Sequence, residues 1–141
     1  MQHKSVFIVN RCDVSAFITK DGSTIRELIA PNNVPEMIRR QSLAEATLRP
    51  GAETEAHFHP VTEEIYYILS GAGRIQIETE ICFVGSGDSI AIPPGAAHTI
   101  QNIGETDLIF LCCCAPAYTH DDTVMVAMPP PGVAVNESHH L

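Results

Sequence analysis

His57 and His59 stand one residue apart in the stretch HFHPVTEEIYYILSG, residues 57–71, and the pair Glu63–Glu64 follows at the start of the apolar run IYYIL. Imidazole and carboxylate groups that enter a strand core are costly unless they are paired or bound to a cation. Side chains of an extended segment alternate between faces, so His57 and His59 project the same way and Phe58 points away. Past the short Pro60–Val61–Thr62 connection the carboxylate of Glu64 can turn toward the same point, which leaves Glu63 facing the other way. A third imidazole is available from His98, which follows the Pro93–Pro94–Gly95 turn and heads a segment that also carries Asn102. His57, His59, Glu64 and His98 together predict a mixed nitrogen and oxygen site for one divalent transition ion. Iron, manganese, nickel, zinc or copper suits such a donor set better than magnesium or calcium. Imidazoles ligate only when neutral, so binding is expected to weaken below about pH 6.

The elements that must position these groups read as strands. Runs rich in valine, isoleucine, tyrosine and phenylalanine recur at ITKDGSTIRELIA, SLAEATL, EIYYILSG, GRIQIET, ICFVGSGDSIAIPPG, HTIQNI and DLIFLCCC. The breakers between them are DG, RPG, SGAG, VGSGD, PPG and IGETD, the pattern of an all-β barrel or sandwich. PEMIRRQ at 35–41 is too short to define a helical layer and reads as a loop, begun by PNNVP, that crosses one mouth of a barrel. Helix is expected over less than about a tenth of the chain.

A chain of 141 residues fits one domain, here 1–141, with a barrel core over about 5–123 and a proline-rich tail at 124–141 that is loosely held. The formal net charge of -9 works against nucleic acid and anionic membrane as partners. The first residues lack a basic-then-apolar signal pattern and no apolar run approaches the ~20 residues of a membrane helix, so the expected location is the cytoplasm. Five cysteines, at 12, 82 and 112–114, lack CxxC spacing. They read as free thiols packed as small apolar groups, and a regular strand cannot aim all three of Cys112, Cys113 and Cys114 at one metal. His3 and His120 read as surface or hydrogen-bonded histidines, and His139–His140 as part of a polar chain end.

The spacing of the first stretch resembles a known family. Gly51, His57, His59, Glu64 and Gly71 match the first cupin motif at every position, and Gly87, Pro93, Gly95, His98 and Asn102 match the second. The resemblance implies a small single-domain cupin, a double-stranded β-helix or jelly-roll barrel, with His57, His59, Glu64 and His98 as the metal ligands inside its mouth. It does not deliver the reaction, because cupins include dioxygenases, isomerases, decarboxylases, lyases, polyketide-cyclase-like proteins and proteins that only bind.

With Glu64 inward, Tyr66 and Ile68 share its face, while Ile100 and Asn102 share the face of His98. That predicts a mostly apolar pocket with one phenol and one amide, suited to a small oxygenated organic molecule. Tyr66 is the candidate catalytic residue, as a hydroxyl that orients a substrate or passes a proton. Ile65, Tyr67 and Leu69 then face outward and predict a homodimer. Arg26 and Glu27 lie on opposite faces of one strand, so one of them should point inward unless the strand lies at an edge. An inward Arg26 would hold an anionic substrate group, but a surface ion pair is the expected reading. Asp121 and Asp122 are expected to cap a turn. The leading expectation is a metal-dependent enzyme, a dioxygenase or an isomerase- or cyclase-like protein. The alternative is a non-catalytic cupin that binds a sugar-like or phenolic molecule.

Overall fold

The computed structural model describes residues 6–132 and the backbone of 134 and 135. After one turn of 3-10 helix at Arg11–Asp13, every element in the described residues is a strand. In chain order these are β1 (Phe17–Ile18), β2 (Thr24–Ile29), β3 (Ser42–Leu48), β4 (His57–Phe58), β5 (Glu63–Ser70) and β6 (Ala72–Ile77). There follow β7 (Glu80–Gly85), β8 (Ser89–Ile92), β9 (His98–Asn102), β10 (Leu108–Ala115), β11 (Val124–Met125) and β12 (Ala134–Val135). They form two six-stranded sheets, β1-β2-β3-β10-β5-β8 and β11-β4-β9-β6-β7-β12, packed face to face as a jelly roll. All pairs are antiparallel except β12 with β7. The all-β expectation holds, and PEMIRRQ forms turns without a helix.

The strand β5 shows how the sequence chooses its faces. Glu64, Tyr66 and Ile68 are buried, while Ile65, Tyr67 and Leu69 are 52%, 41% and 40% exposed, the period of two expected of a strand with one face on the core. Ile68 packs with Ala46, Leu48, Leu108 and Phe110 from its own sheet against Ile75, Val84 and Ile100 from the other. Full burial of one such side chain stabilises by roughly 1.5–3 kcal/mol. Between β5 and β6 the chain reverses at Gly71, whose φ of 95° favours glycine. A Cβ there would also sit 2.7 Å from the Asp107 carbonyl oxygen, so both conformation and space exclude a side chain.

Two parts of the chain differ from the sequence expectation. ITKDGSTIRELIA is a hairpin, not one run: Phe17–Ile18 pairs with Thr24–Ile25 around the Asp21–Gly22 turn. Strand pairing also continues past residue 123, where a loose tail was expected. Val124 and Met125 pair with Phe58 and His57, and Ala134 and Val135 pair with Ile81 and Cys82. Backbone groups at the open edges of β4 and β7 are thereby satisfied. His3 and His139–His140 lie outside the described residues.

Candidate metal centre

Three turns and two sheets deliver the four sequence-predicted ligands to one point. His57 on β4 is the direct partner of His98 on β9. Gly95, in a left-handed conformation at φ 82°, closes the turn before His98 and donates its N–H to the His59 carbonyl at 2.8 Å. Glu64 enters from the opposite sheet, paired with Cys114 of β10 and Ile92 of β8. The four side chains are all buried, and one ligand atom from each lies within 4.8 Å of the other three. A set this close is one that could share a single ion.

Hydrogen bonds orient each ring. Carbonyl oxygens only accept, so the Nδ1 of His57 donates to Glu55 O at 2.8 Å, that of His59 to Asp122 O at 3.0 Å, and that of His98 to Ala96 O at 3.0 Å. Each neutral imidazole is then left with its lone pair on Nε2, facing the centre. Glu64 Oε1 lies 3.4 Å from His59 Nε2 and 3.5 Å from His98 Nε2. Glu64 Oε1 and His98 Nε2 are nevertheless buried without a hydrogen-bond partner among the described residues. Two orphaned polar atoms at one point would be costly in a finished core, and the donor set around them is one that a divalent transition ion satisfies. The residues therefore fit the ion that the motif implies.

Surrounding groups support these orientations. The Asp122 carboxylate accepts from the N–H groups of Val61, at 3.1 Å, and Thr62, at 2.9 Å, closing the connection between His59 and Glu64. Asp121 and Asp122 were expected to cap the turn of their own segment; the Asp122 carboxylate instead caps this distant connection. Cys114 Sγ donates to Glu64 Oε2 at 3.2 Å. Burial first, and then the Glu64 carboxylate, push that thiol far up, so it remains protonated and a donor. Glu78 accepts from the Ala97 N–H at 2.7 Å through Oε1, and its own N–H donates to the Ala97 carbonyl at 2.8 Å, clamping the residue before His98.

In the metal-free protein the centre holds its charge unevenly. Burial alone would raise the Glu64 carboxyl, but the His59 and His98 rings beside it bring it down to about 2. Burial works against protonation of His59 as well, yet the Glu64 carboxylate outweighs it and the His59 pKa is raised. His57 is lowered, by burial and then by repulsion from His98.

A cavity opens from the centre between β2, β3, β5 and β10. Its wall includes Asp21, Glu27, His57, His59, Glu64 and Tyr66. Tyr66, 2% exposed, packs its ring 4.7 Å from Phe110 and 6.1 Å from His98, centroid to centroid. Its hydroxyl makes no hydrogen bond to a described residue, and burial, then the Glu64 carboxylate, raise its pKa well above the ordinary value. Several expectations are corrected here. Asn102 shares the inward face but not the cavity: its side chain is spent on Leu48 O, Thr106 O and the Gly104 N–H. Ile68 and Ile100 belong to the packed core. Arg26, by contrast, faces outward 4.0 Å from Glu45, in line with the surface ion pair expected of it, and its neighbour Glu27 is the residue that lines the cavity. Cys112 and Cys114 also line it, whereas Cys113 is exposed, so the cysteine block is more than apolar filling. Sequence reading missed Asp21, taken only as a turn residue, because it reaches the histidines across the two sheets and not through local spacing.

Comparisons with known proteins agree with this geometry. The family model for the cupin domain matches residues 44–114. The chain is 48% identical over 110 residues to an uncharacterized protein of Methanocaldococcus jannaschii, spanning 78% of this chain and 86% of that one. It is 38% identical over 68 residues to the oxalate-binding protein of Thermotoga maritima, spanning 48% of this chain and 56% of that one. Among solved structures it is similar to the polyketide cyclase RemF of Streptomyces resistomycificus, with a TM-score of 0.73 and 26% identity over 88% of this chain and 87% of that one. No helix of the described residues is long and apolar enough to cross a membrane.

Proposed function

The chain belongs to the cupin family, and on that premise we propose that it is a metal-binding cupin acting as a metal-dependent enzyme on a small oxygenated organic molecule, in a dioxygenase or an isomerase- or cyclase-like reaction. The observation that carries this reading is the convergence of three Nε2 lone pairs on Glu64, with Glu64 Oε1 and His98 Nε2 buried and without partners among the described residues. His57, His59, Glu64 and His98 would hold the ion, whose identity among iron, manganese, nickel, zinc and copper is open. When bound, a divalent ion supplies Lewis acidity toward an enolate, hydroxy or carboxylate oxygen, and iron would add oxygen activation.

The chain's own groups do the rest. The carbonyls of Glu55, Asp122 and Ala96 hold the three rings in the ligating tautomer. The Cys114 thiol fixes one oxygen of Glu64 and leaves the other for the centre. Tyr66, protonated and without a partner among the described residues, offers a proton or a hydrogen bond to a molecule in the cavity and is the proposed catalytic residue. Buried Phe110 and Ala46 in the wall exclude water from that contact. The same reading takes residues 1–141 as one cupin domain that assembles as a homodimer.

A second reading, a non-catalytic cupin that binds a small molecule, is favoured by the 38% identity to the oxalate-binding protein. Elemental analysis of protein purified without an affinity tag comes first, with about one transition ion per chain expected. Turnover is then followed on a panel of phenolic, enolic and hydroxy-acid substrates with wild type and His98→Ala. Turnover that vanishes in a folded His98→Ala protein supports the enzyme. Binding without turnover across the panel supports the second reading, and absence of bound transition metal would overturn the metal-dependent enzyme.

A further inference from the structure

The charge and hydrogen-bonding pattern of the cavity wall points to a class of ligand, an inference that rests on the metal-binding reading for the location of the site. Asp21 is its central group. Three hydrogen bonds converge on Asp21 Oδ1, from Thr19 Oγ1 at 2.7 Å, Ser23 N at 2.9 Å and Ser23 Oγ at 2.6 Å. They lock the carboxylate within the β1–β2 turn. Oδ2 is left without a hydrogen bond to a described residue and lies on the cavity side, 3.9 Å from His57 Nε2.

A second carboxylate, Glu27, lines both this cavity and the adjoining outer groove, together with Phe17 and Tyr118. Any ligand arriving by that groove passes between an acidic group and two aromatic rings. No lysine or arginine among the described residues lines the cavity. Lys20 is committed to the Thr123 carbonyl at 2.9 Å, and Arg11 and Arg26 lie beside Glu45 on the outer face. An independent observation concerns Tyr66, 2% exposed and in the wall of the same cavity, whose hydroxyl makes no hydrogen bond to a described residue. Within the wall Asp21 Oδ2 is thus a fixed acceptor and the Tyr66 hydroxyl an uncommitted donor.

We propose that this cavity takes an uncharged phenol- or enol-type molecule that donates a hydroxyl to Asp21 Oδ2 and accepts from the Tyr66 hydroxyl, and that it selects against small dicarboxylates such as oxalate. A divalent ion held by three neutral imidazoles and Glu64 carries a net charge of about +1, and the Asp21 and Glu27 carboxylates turn the loaded site to about -1. A dianion entering such a wall meets like charges in a poorly screened interior, with no lysine or arginine in the wall to add to the charge of the ion. A neutral hydroxyl meets an acceptor already oriented for it, and Phe17, Phe110, Tyr66 and Tyr118 suit an aromatic or planar body.

Titration calorimetry with catechol and with oxalate, on zinc-loaded and metal-free protein, tests the proposal. Asp21→Asn keeps an Oδ1 acceptor for the turn and puts an NH2 donor in place of Oδ2. It should weaken catechol about tenfold and tighten oxalate about tenfold. Glu27→Gln, at a half-buried position outside the turn, should tighten oxalate without weakening catechol. The direction of both effects should be the same with and without zinc, because it arises in the wall. Oxalate affinity that is unchanged or weaker in both variants, or catechol affinity untouched by Asp21→Asn, would overturn the proposal. Zinc content measured on the same samples separates the two ideas. Wild type that holds no zinc sinks the metal reading, whereas fully loaded protein with the wrong signs sinks this inference alone.

Discussion

His57 and His98 face each other as direct partners of β4 and β9, with ring centroids 4.3 Å apart. This pairing makes the centre a property of the second sheet and not of either motif alone. β4 has only two residues, and its other edge is held by β11, with Met125 opposite His57. The segment after residue 123 therefore braces a proposed ligand. Glu64 then closes the site from the opposite sheet, so the four residues that would hold an ion come from both sheets of the jelly roll.

Metal occupancy should follow the side chains that reach the centre. His57→Ala is expected to lose most bound metal on elemental analysis. Glu63→Ala and His120→Ala, which alter exposed side chains, should retain it. Equal loss in all three variants would disprove the assignment.

Removing the thiol beside Glu64 should loosen the carboxylate without removing a ligand. Cys114→Ala is expected to weaken zinc binding roughly tenfold, the lower end of what lost outer hydrogen bonds cost a metal site. Cys114→Ser keeps a donor and should restore most of the affinity. Competition with a chromogenic chelator would read both. A serine variant as weak as the alanine variant would reduce the Cys114–Glu64 contact to packing.

The pH dependence follows from the direction of the shifts. Relative to the unfolded chain, the raised His59 stabilises the metal-free fold below about pH 6.5, and that contribution is lost as pH rises through the still higher folded value. The depressed Glu64 contributes above its ordinary value of 4.5 and loses its contribution as pH falls toward about 2. Between those limits a protonated His59 opposite Glu64 competes with the ion. His57, lowered from 6.5, offers little competition there. As pH is lowered, metal affinity should therefore begin to fall while the pH is still above 6.5, earlier than the reference histidine value suggests, with about one proton taken up per ion released near neutrality. Calorimetry in two buffers of different ionisation enthalpy measures that number, and a fall-off confined below pH 6 would contradict it.

The outer face of β5 carries the proposed assembly. Ile65, Tyr67 and Leu69 form a row of half-exposed apolar groups on a strand, and covering them would remove that surface from water. Light scattering is expected to give a dimer mass. Tyr67→Lys should shift the population toward the 15.3 kDa monomer. A wild-type monomer at high micromolar concentration would end the proposal.

The sequence by itself determined whatever depends on local spacing. Period-two alternation placed Glu64 and Tyr66 inside and Glu63, Ile65 and Tyr67 outside, because a strand's two faces follow from the chain without knowledge of its neighbours. The positions of His57, His59, Glu64 and His98 in their local segments singled out the four centre residues, and the resemblance of 51–71 and 87–102 to the two cupin motifs implied the jelly roll. What only the tertiary structure decided is which groups from distant strands share the cavity. Arg26 and Glu27 were legible as opposite-facing, but it is the register of β2 against β3 that sets Arg26 beside Glu45 and turns Glu27 inward. Cys114 became a donor to Glu64 through the pairing of β10 with β5, and Asp21 reached His57 through the folding of the β1–β2 turn against the opposite sheet. Asn102 had the right face and still missed the cavity, because its amide is spent on backbone groups of the loops behind it. Such outcomes rest on contacts between residues far apart in the chain, and only the packed sheets specify them.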